Sequence, residues 1–391
     1  MRENEIHLTL ERMEKFMRGI EVGYKIIHVG GTNGKGSVCQ FIYSMLRRKY
    51  STGVYTSPHL HRVNERIVVD GVEIKDEEIE RYAFLKEYGF TYFEALTALA
   101  ILYFNDKKVD YAIMEVGLGG RLDATNVLQP HLTIITNISM EHEKYLGKSI
   151  SSIALEKTGI IKNAPVITAA RGKALDVIRK VAEERGVDVY VVGEDIKWKN
   201  RGKGKFVVES SATYEIETKM VGRFQGENVA IAVKEGEILG VERKDIIEGI
   251  KNAEWHGRME KIGKFILDGC HNPAAVSAFA SSIKEFDFDW LVIIFGVMSD
   301  KNVREMIKNL PEAKEYIATT INNERAMDAG EIAKIGGMMG KKFSISKNVG
   351  EAIDMAREAA GENDMICIVG SLYLVGEARK ILMQLHKIGC K

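Results

Sequence analysis

The chain is poor in the features that mark unusual environments. Its four cysteines, Cys39, Cys270, Cys367 and Cys390, are scattered with no C-x-x-C pair. That argues against a zinc site or a disulfide framework and for a reducing compartment. Excess charge is lacking too, since 55 basic and 55 acidic side chains leave a formal net charge of zero. No bulk field therefore draws nucleic acid or an anionic membrane. The longest apolar run, Trp290 to Met298, falls far short of the ~20 residues of a membrane helix. The opening stretch MRENEIHLTLERMEKF is charged and amphipathic, without the apolar core of a secretion signal. Low-complexity segments and solenoid-length repeats are also missing. These absences describe a cytoplasmic globular protein with neither a nucleic-acid nor a membrane partner.

What is present is ordinary in bulk and specific in pattern. Hydrophobic residues make up 45% and charged residues 28% of 391 positions, a length that favours two domains. Short apolar runs alternate with helical periodicity. YKIIHV, YAIMEV, LTIITNI, PVITAA and VDVYVV read as strands. Helices are expected near 92–105, 149–158, 174–186, 227–240 and 243–252, and SVCQFIYSMLRR places Val38, Phe41, Ile42, Met45 and Leu46 on one helical face. After NAEWHGRMEK the rhythm restarts with KFILDG, WLVIIFG, EYIATTI, KFSISK and DMICIVG. Helices are expected between these strands and at 371–385. This is α/β order with mainly parallel, doubly covered sheets, and the boundary is placed at Ala253 to Trp255.

The stretch HVGGTNGKGS follows the first strand and opens a helix. It departs from the G-x-x-x-x-G-K-[ST] phosphate loop: Val29 stands at the first glycine, and Gly36 separates Lys35 from Ser37. Its context still suits a phosphate, because backbone N–H groups at a helix N-terminus attract anions and Lys35 reaches a terminal phosphate. A ligand-free glycine turn is the plain alternative. A dinucleotide-binding G-x-G-x-x-G does not fit.

Two later strands end in polar side chains on the same expected edge. Glu115 closes YAIMEV before GLGGRLDATN, and Glu141 and His142 follow LTIITNI. An acid at a strand's C-terminal end commonly holds magnesium in nucleotide hydrolases; otherwise it is a carboxylate in water. Ligands of open α/β sheets gather beyond these ends, so Ser37, Glu115 and His142 are expected as neighbours. Lys157 reads by default as a solvated helical lysine. In the second domain Arg258 suits phosphate neutralisation, and Asp268 and His271 end a strand. Together they suggest a nucleotide held between two α/β domains.

HVGGTNGKGS, GVYTSPHL, NERI, TYFEALTALA, EVGLGGRLDATN, EKTGIIK, GRFQGEN, GRMEK, LDGCHNP and GSLYLVGEAR occur in the order seen in folylpolyglutamate and dihydrofolate synthases, within the Mur ligase superfamily. The resemblance runs from about Leu8 to Arg379. It implies an N-terminal P-loop-type ATPase domain over 1–253 and a smaller Rossmann-like ligase domain over 256–391. It also implies ATP-dependent addition of L-glutamate to a folate- or pteroate-type carboxylate through an acyl phosphate. Mg2+ and a monovalent cation such as K+ are the implied ions, and the resemblance leans towards a monomer.

Residue by residue, the resemblance implies that Gly31, Thr32, Asn33, Gly34, Lys35, Gly36 and Ser37 cradle the ATP phosphates. Ser37, Ser57, Glu115 and His142 resemble metal ligands, and Lys157 matches a lysine that the family can carry as a carbamate near a second metal. Asn228, Arg258 and Asp268 resemble nucleotide contacts, with His271 beside them as a catalytic candidate. Phe93 is the candidate to stack on a pterin. Gly31 to Ser37 also fits the Mur-type G-T-x-G-K-x-[ST] loop in full, which accounts for Gly36. Departures from the family are Glu141 for the usual Asp, Cys270 for the usual Ala, and short segments before IIHV and between NERI and TYFEA. Two alternatives stay open: a Mur-type ligase for another pterin or carboxylate acceptor, and a P-loop nucleotide switch without ligase activity.

Overall fold

The computed structural model describes residues 9–389, so Cys390 and the first eight residues of the amphipathic opening stretch lie outside the described residues. Two compact units are present. One comprises Met1–Arg201, Lys205–Lys219 and Gln225–Glu254. The other comprises Gly202–Gly204, Met220–Phe224 and Trp255–Lys391.

The first unit is built on eight strands: β1 (Lys25–Gly30), β2 (Thr52–Tyr55), β3 (Ile67–Val69), β4 (Val72–Glu73), β5 (Tyr111–Glu115), β6 (Leu132–Ile135), β7 (Val166–Thr168) and β8 (Val189–Val191). Their order across the sheet is β4-β3-β2-β5-β1-β6-β7-β8. From β2 to β8 every pairing is parallel, and β3 and β4 add an antiparallel edge. The expected apolar runs form the central strands because helices cover both faces, which rewards side chains pointing either way. Tyr92–Asp106 buries Leu96, Leu99 and Phe104 with Ile26, Tyr55, Ala112 and Met114 of the strands. Lys35–Leu46 buries the expected Val38, Phe41, Ile42, Met45 and Leu46.

A smaller sheet was not foreseen from the sequence. It consists of β9 (Lys197–Gly202), β10 (Lys205–Glu209) and β11 (Thr213–Glu217), in the order β11-β10-β9. Its strands are rich in Lys and Glu; Phe206, Val208, Tyr214 and Ile216 are buried, and Trp198 packs beside Phe206. That is the period-two alternation of a half-buried strand, masked by charge on the exposed face.

The second unit holds β12 (Glu260–Ile262), β13 (Phe265–Asp268), β14 (Leu291–Phe295), β15 (Glu315–Thr319), β16 (Phe343–Ser346) and β17 (Met365–Val369), in the order β12-β13-β17-β14-β15-β16. Only β12 runs antiparallel to its neighbour. Helices Pro273–Ser282, Val303–Asn309, Ala329–Met338, Val349–Ala359 and Leu372–Gly389 alternate with the strands, the doubly wound pattern expected.

One buried group in the first unit has a measurable consequence. Glu235, in helix Gln225–Ile238, is fully buried, and neither carboxylate oxygen has a hydrogen-bond partner among the described residues. Burial pushes its carboxyl well above the ordinary range near 4.5, so the folded protein keeps a proton that the unfolded chain releases. Stability therefore falls as pH rises above that range. Glu235→Met removes the buried acid. Its melting temperature should exceed the parent's at about pH 8, with the gap narrowing towards about pH 4.5; calorimetry showing a gap independent of pH contradicts this.

Candidate active site

Sheet register gathers the candidate residues of the first unit. Val29 of β1 lies opposite Glu115 of β5, Gly30 opposite Ile135 of β6, and Tyr55 of β2 opposite Met114. The segments leaving β2, β5, β1 and β6 thus start side by side. They carry Ser57, Glu115, Gly31–Ser37 and His142 in turn.

The turn after β1 is shaped by close backbone approach. Gly31 has φ +131°, and a Cβ there would lie 2.0 Å from Thr136 Oγ1. Thr32 N donates to Asn137 O at 2.7 Å, Asn33 N to Asn137 Oδ1 at 3.0 Å, and Thr136 Oγ1 to Asn33 O at 2.7 Å. The segment after β6 therefore holds the loop in place. Gly34, at φ +87°, caps helix Lys35–Leu46 with no side-chain hydrogen bond. Asn228 sits directly against it, since a Cβ on Gly34 would lie 2.5 Å from Asn228 Oδ1. The first-turn N–H groups, around Gly36 and the buried Ser37, have no carbonyl partner within the helix and suit an anion.

Two lysines converge on one carbonyl of this loop. Lys35 Nζ donates to Gly31 O at 3.3 Å and to Thr32 O at 3.1 Å, while Lys157 Nζ donates to Gly31 O at 2.7 Å. Lys157 is not the solvated helical lysine of the default reading: it is 3% exposed. Burial first, then the charge of Lys35, pushes it down to about 7, against the pull of Glu141 and Asp123.

Glu115 is buried, and its Oε2 accepts from Ser57 N at 2.8 Å, so these two expected ligands are adjacent. His142, with φ +50°, has Nε2 3.3 Å from Glu141 Oε1. Among the described residues no three His, Cys, Asp or Glu side chains cluster to hold a metal ion. A donor set of one buried carboxylate and serine hydroxyls fits Mg2+, which keeps waters and is bound largely through phosphate oxygens.

Phe93 is half-buried, its ring 5.9 Å from that of Tyr55. It lies on the GLGG backbone, for a Cβ on Gly117 would be 2.5 Å from Phe93 Cζ. Sequence reasoning missed the group that shapes this loop. Asp123 is buried and accepts from Gly117 N, Leu118 N, Thr125 N and Thr125 Oγ1. Burial raises its carboxyl, and these hydrogen bonds oppose the rise. The available signal was LDAT, an Asp with Thr two residues on, which favours a side-chain-closed turn. Arg66 of NERI was missed as well. It is buried, donates to His59 Nδ1 at 2.9 Å and lies over the Tyr92 ring.

In the second unit Asp268 ends β13 and accepts from Met259 N and Cys270 N, both at 2.9 Å. Burial raises its carboxyl, opposed by Arg258. Arg258 packs on the same turn, since a Cβ on Gly269 would lie 2.4 Å from its Nη1. His271 Nδ1 is 2.9 Å from Gly269 O. Arg258, Asp268 and His271 are thus brought together. The segment is anchored by Glu260, which receives Arg379 Nε on both oxygens at 2.9 and 3.0 Å. Burial opposes it, yet His256, Gly257 N and Arg379 hold Glu260 down to about 2.

Comparison with known proteins identifies this arrangement as that of a Mur-type ligase. Residues 29–234 match the Mur ligase middle domain, and residues 257–372 match the Mur ligase glutamate ligase domain. The dihydrofolate synthase/folylpolyglutamate synthase of Bacillus subtilis is 34% identical, over 95% of this chain and 94% of that one. A Haloferax volcanii protein described as a probable bifunctional folylpolyglutamate synthase/dihydropteroate synthase is 35% identical over 95% of this chain. There the chain spans 48% of the relative's length. Escherichia coli FolC in complex with DHPP and ADP superposes with a TM-score of 0.91, at 26% identity, over 98% of this chain and 95% of that one. A Yersinia pestis folylpolyglutamate synthase/dihydrofolate synthase complexed with AMPPNP and Mn gives 0.86, at 27% identity, covering 99% and 95%. The chain belongs to the folylpolyglutamate synthase/dihydrofolate synthase family of Mur ligases. Among the described residues no helix is long and apolar enough to cross a membrane.

The loop geometry sets a test. Gly34→Ala puts a Cβ at a left-handed position, costing roughly 1–2 kcal/mol locally, and into the side chain of Asn228. Nucleotide affinity measured by calorimetry should fall about tenfold or more, with the melting temperature lowered by only a few degrees; unchanged affinity contradicts the role given to this turn.

Proposed function

We propose that this chain is an ATP-dependent ligase that joins L-glutamate to a folate-type acceptor, releasing ADP and phosphate. The observation that carries the reading is the convergence of Lys35 and the buried Lys157 on Gly31 O, at the helix N-terminus of a phosphate-type loop. It does so in a fold shared along its length with solved relatives that hold ADP or AMPPNP.

A free carboxylate is a poor electrophile because oxide is a poor leaving group. Transfer of the terminal phosphoryl group to an acceptor carboxylate oxygen breaks the bond to ADP and makes an acyl phosphate. The glutamate amine then attacks the carbonyl carbon, loses a proton, and phosphate leaves as the amide forms. The protein's work is positioning and charge neutralisation. The first-turn amides of helix Lys35–Leu46, around Gly36 and Ser37, hold the phosphates within the Gly31–Ser37 loop, and Lys35 turns from the loop carbonyls to the terminal phosphate. Asn228, on Gly34, limits where the nucleotide lies. Ser37, Ser57, Glu115 and His142 are assigned to Mg2+, which when bound offsets charge on the phosphate oxygens. Arg258 is assigned to phosphate charge, with Asp268 and His271 holding its turn. Phe93, with Tyr55 behind it, offers a ring face to a pterin.

Lys157 has a second assignment. A lysine held near 7 is largely a free amine at about pH 8, the form that adds CO2 to become a carbamate. That turns a cation beside the loop into an anion. ATP and glutamate are cytoplasmic metabolites, and the cytoplasm is the compartment proposed.

Mass spectrometry after incubation with ATP, Mg2+, glutamate and either dihydropteroate or tetrahydrofolate should show acceptor masses raised by whole glutamyl units. If neither acceptor gives ADP above the acceptor-free background, the reading is wrong. Lys157→Met, which keeps the buried stem, should lower kcat by about 100-fold or more while shifting the nucleotide Kd less than about tenfold. Retained turnover removes Lys157 from the chemistry.

A further inference from the structure

His28 lies in the middle of β1, three residues before Gly31, and is completely buried. Its Nε2 is 2.8 Å from Thr125 Oγ1, and its Nδ1 has no hydrogen-bond partner among the described residues. Thr125 Oγ1 in turn donates to Asp123 Oδ1 at 2.6 Å, and Thr125 N donates to the same oxygen at 3.0 Å. Asp123 Oδ2 accepts from Gly117 N at 3.0 Å and Leu118 N at 2.9 Å.

Counting protons fixes the direction of this chain. Four donors converge on the Asp123 carboxylate, one of them the Thr125 hydroxyl. A hydroxyl has a single proton, so with that proton on Asp123 the Thr125 oxygen accepts from His28. The ring is therefore the neutral Nε2–H tautomer. Burial, aided by the charge of Lys162, keeps it neutral by lowering it to about 3. A histidine retained only to fill space offers no reason for this. An apolar side chain would occupy the same volume without leaving Nδ1 buried and unpaired, which is costly. What the histidine adds is a donor at Nε2.

The far end of the relay is the Gly117–Thr125 loop, and two of its glycines touch residues assigned to the reaction. Gly117 underlies the Phe93 ring. A Cβ on Gly120 would lie 2.7 Å from Lys157 O. The phosphate loop is tied to Thr136, Asn137 and Ser139, and the relay reaches it only indirectly, through Lys157 on Gly31 O. Loss of the relay therefore reaches the acceptor side first.

We propose that His28 is a positioning residue, which by donating Nε2–H to Thr125 sets the Asp123-centred loop and thereby the floor on which the acceptor sits beside Phe93. This rests on the proposed function for the identity of the acceptor, while the relay itself is a property of the fold. The test uses full-length His28→Gln, which can restore a donor near the Nε2 position, His28→Leu, which cannot, and Thr125→Val, which breaks the next link at similar volume.

Two measurements separate the relay from the activity. Amide hydrogen exchange over residues 116–126 should quicken at Gly117 and Leu118 by about tenfold in His28→Leu and Thr125→Val, and stay near the parent rate in His28→Gln. In steady-state assays, the acceptor KM should rise about tenfold in the first two variants. The ATP KM should move less than about twofold, and His28→Gln should lie within about threefold of the parent throughout. Combining His28→Leu with Thr125→Val should cost no more than either alone. Unchanged exchange in both disrupted variants overturns the relay. Exchange that quickens while acceptor and ATP KM rise together, or a folded His28→Gln that behaves like His28→Leu, overturns the positioning role. Inactive parent protein with quickened exchange in the variants overturns the functional reading and leaves the relay standing. If His28→Leu does not fold, Thr125→Val decides the same outcomes.

Discussion

The candidate site depends on a backbone contact too close for any side chain. At the end of β1 the chain passes so near Thr136 that a Cβ on Gly31 would overlap its hydroxyl. This contact forces the chain into a left-handed turn and ties the phosphate-type loop to the segment after β6. It also leaves Gly31 O facing inward, where Lys35 and Lys157 both reach it. Because β5, β1 and β6 are in parallel register, any shift of this turn moves with it the point to which Glu115 and the residues after Ile135 are referred. A site assembled from four strand ends is only as well placed as the register that aligns them.

The electrostatics follow from that crowding. Two lysines beside one carbonyl in a buried setting cannot both be comfortably charged. The deeper one yields: Lys157, beneath the loop, is held near neutrality, while Lys35 sits nearer the opening of the turn. Glu141 and Asp123 pull in the other direction without cancelling the effect of burial. The loop thus rests on a buried lysine whose charge is weakened by its setting. Neither lysine would reveal this if considered alone.

Much of this was legible in the sequence, for identifiable reasons. The strands of both large sheets announced themselves because burial on both faces leaves nearly continuous apolar runs. Several candidate site residues stood out because they close such a run or follow it, as Glu115 and Asp268 do. The sheet of β9 to β11 was not legible, since its alternation is carried by a few inward side chains among lysines and glutamates. Lys157 was misjudged by its default reading for a different reason: a lysine's burial depends on what packs over it, and only the family resemblance pointed inward. His28 escaped because its contact with Thr125 joins residues 97 positions apart, which no local pattern records, whereas the Asp123–Thr125 turn was written locally in LDAT.

The grip of Arg379 on Glu260 has a bearing on how the protein is made. The two residues are 119 positions apart, yet Glu260 anchors the turn that carries Arg258. While the chain is leaving the ribosome, the first unit can complete its sheet and its phosphate-type loop. The Arg258 turn lacks this anchor until helix Leu372–Gly389 has been translated. The turn thus waits on a partner 119 residues further along, so it is held only after most of the second unit has been synthesised.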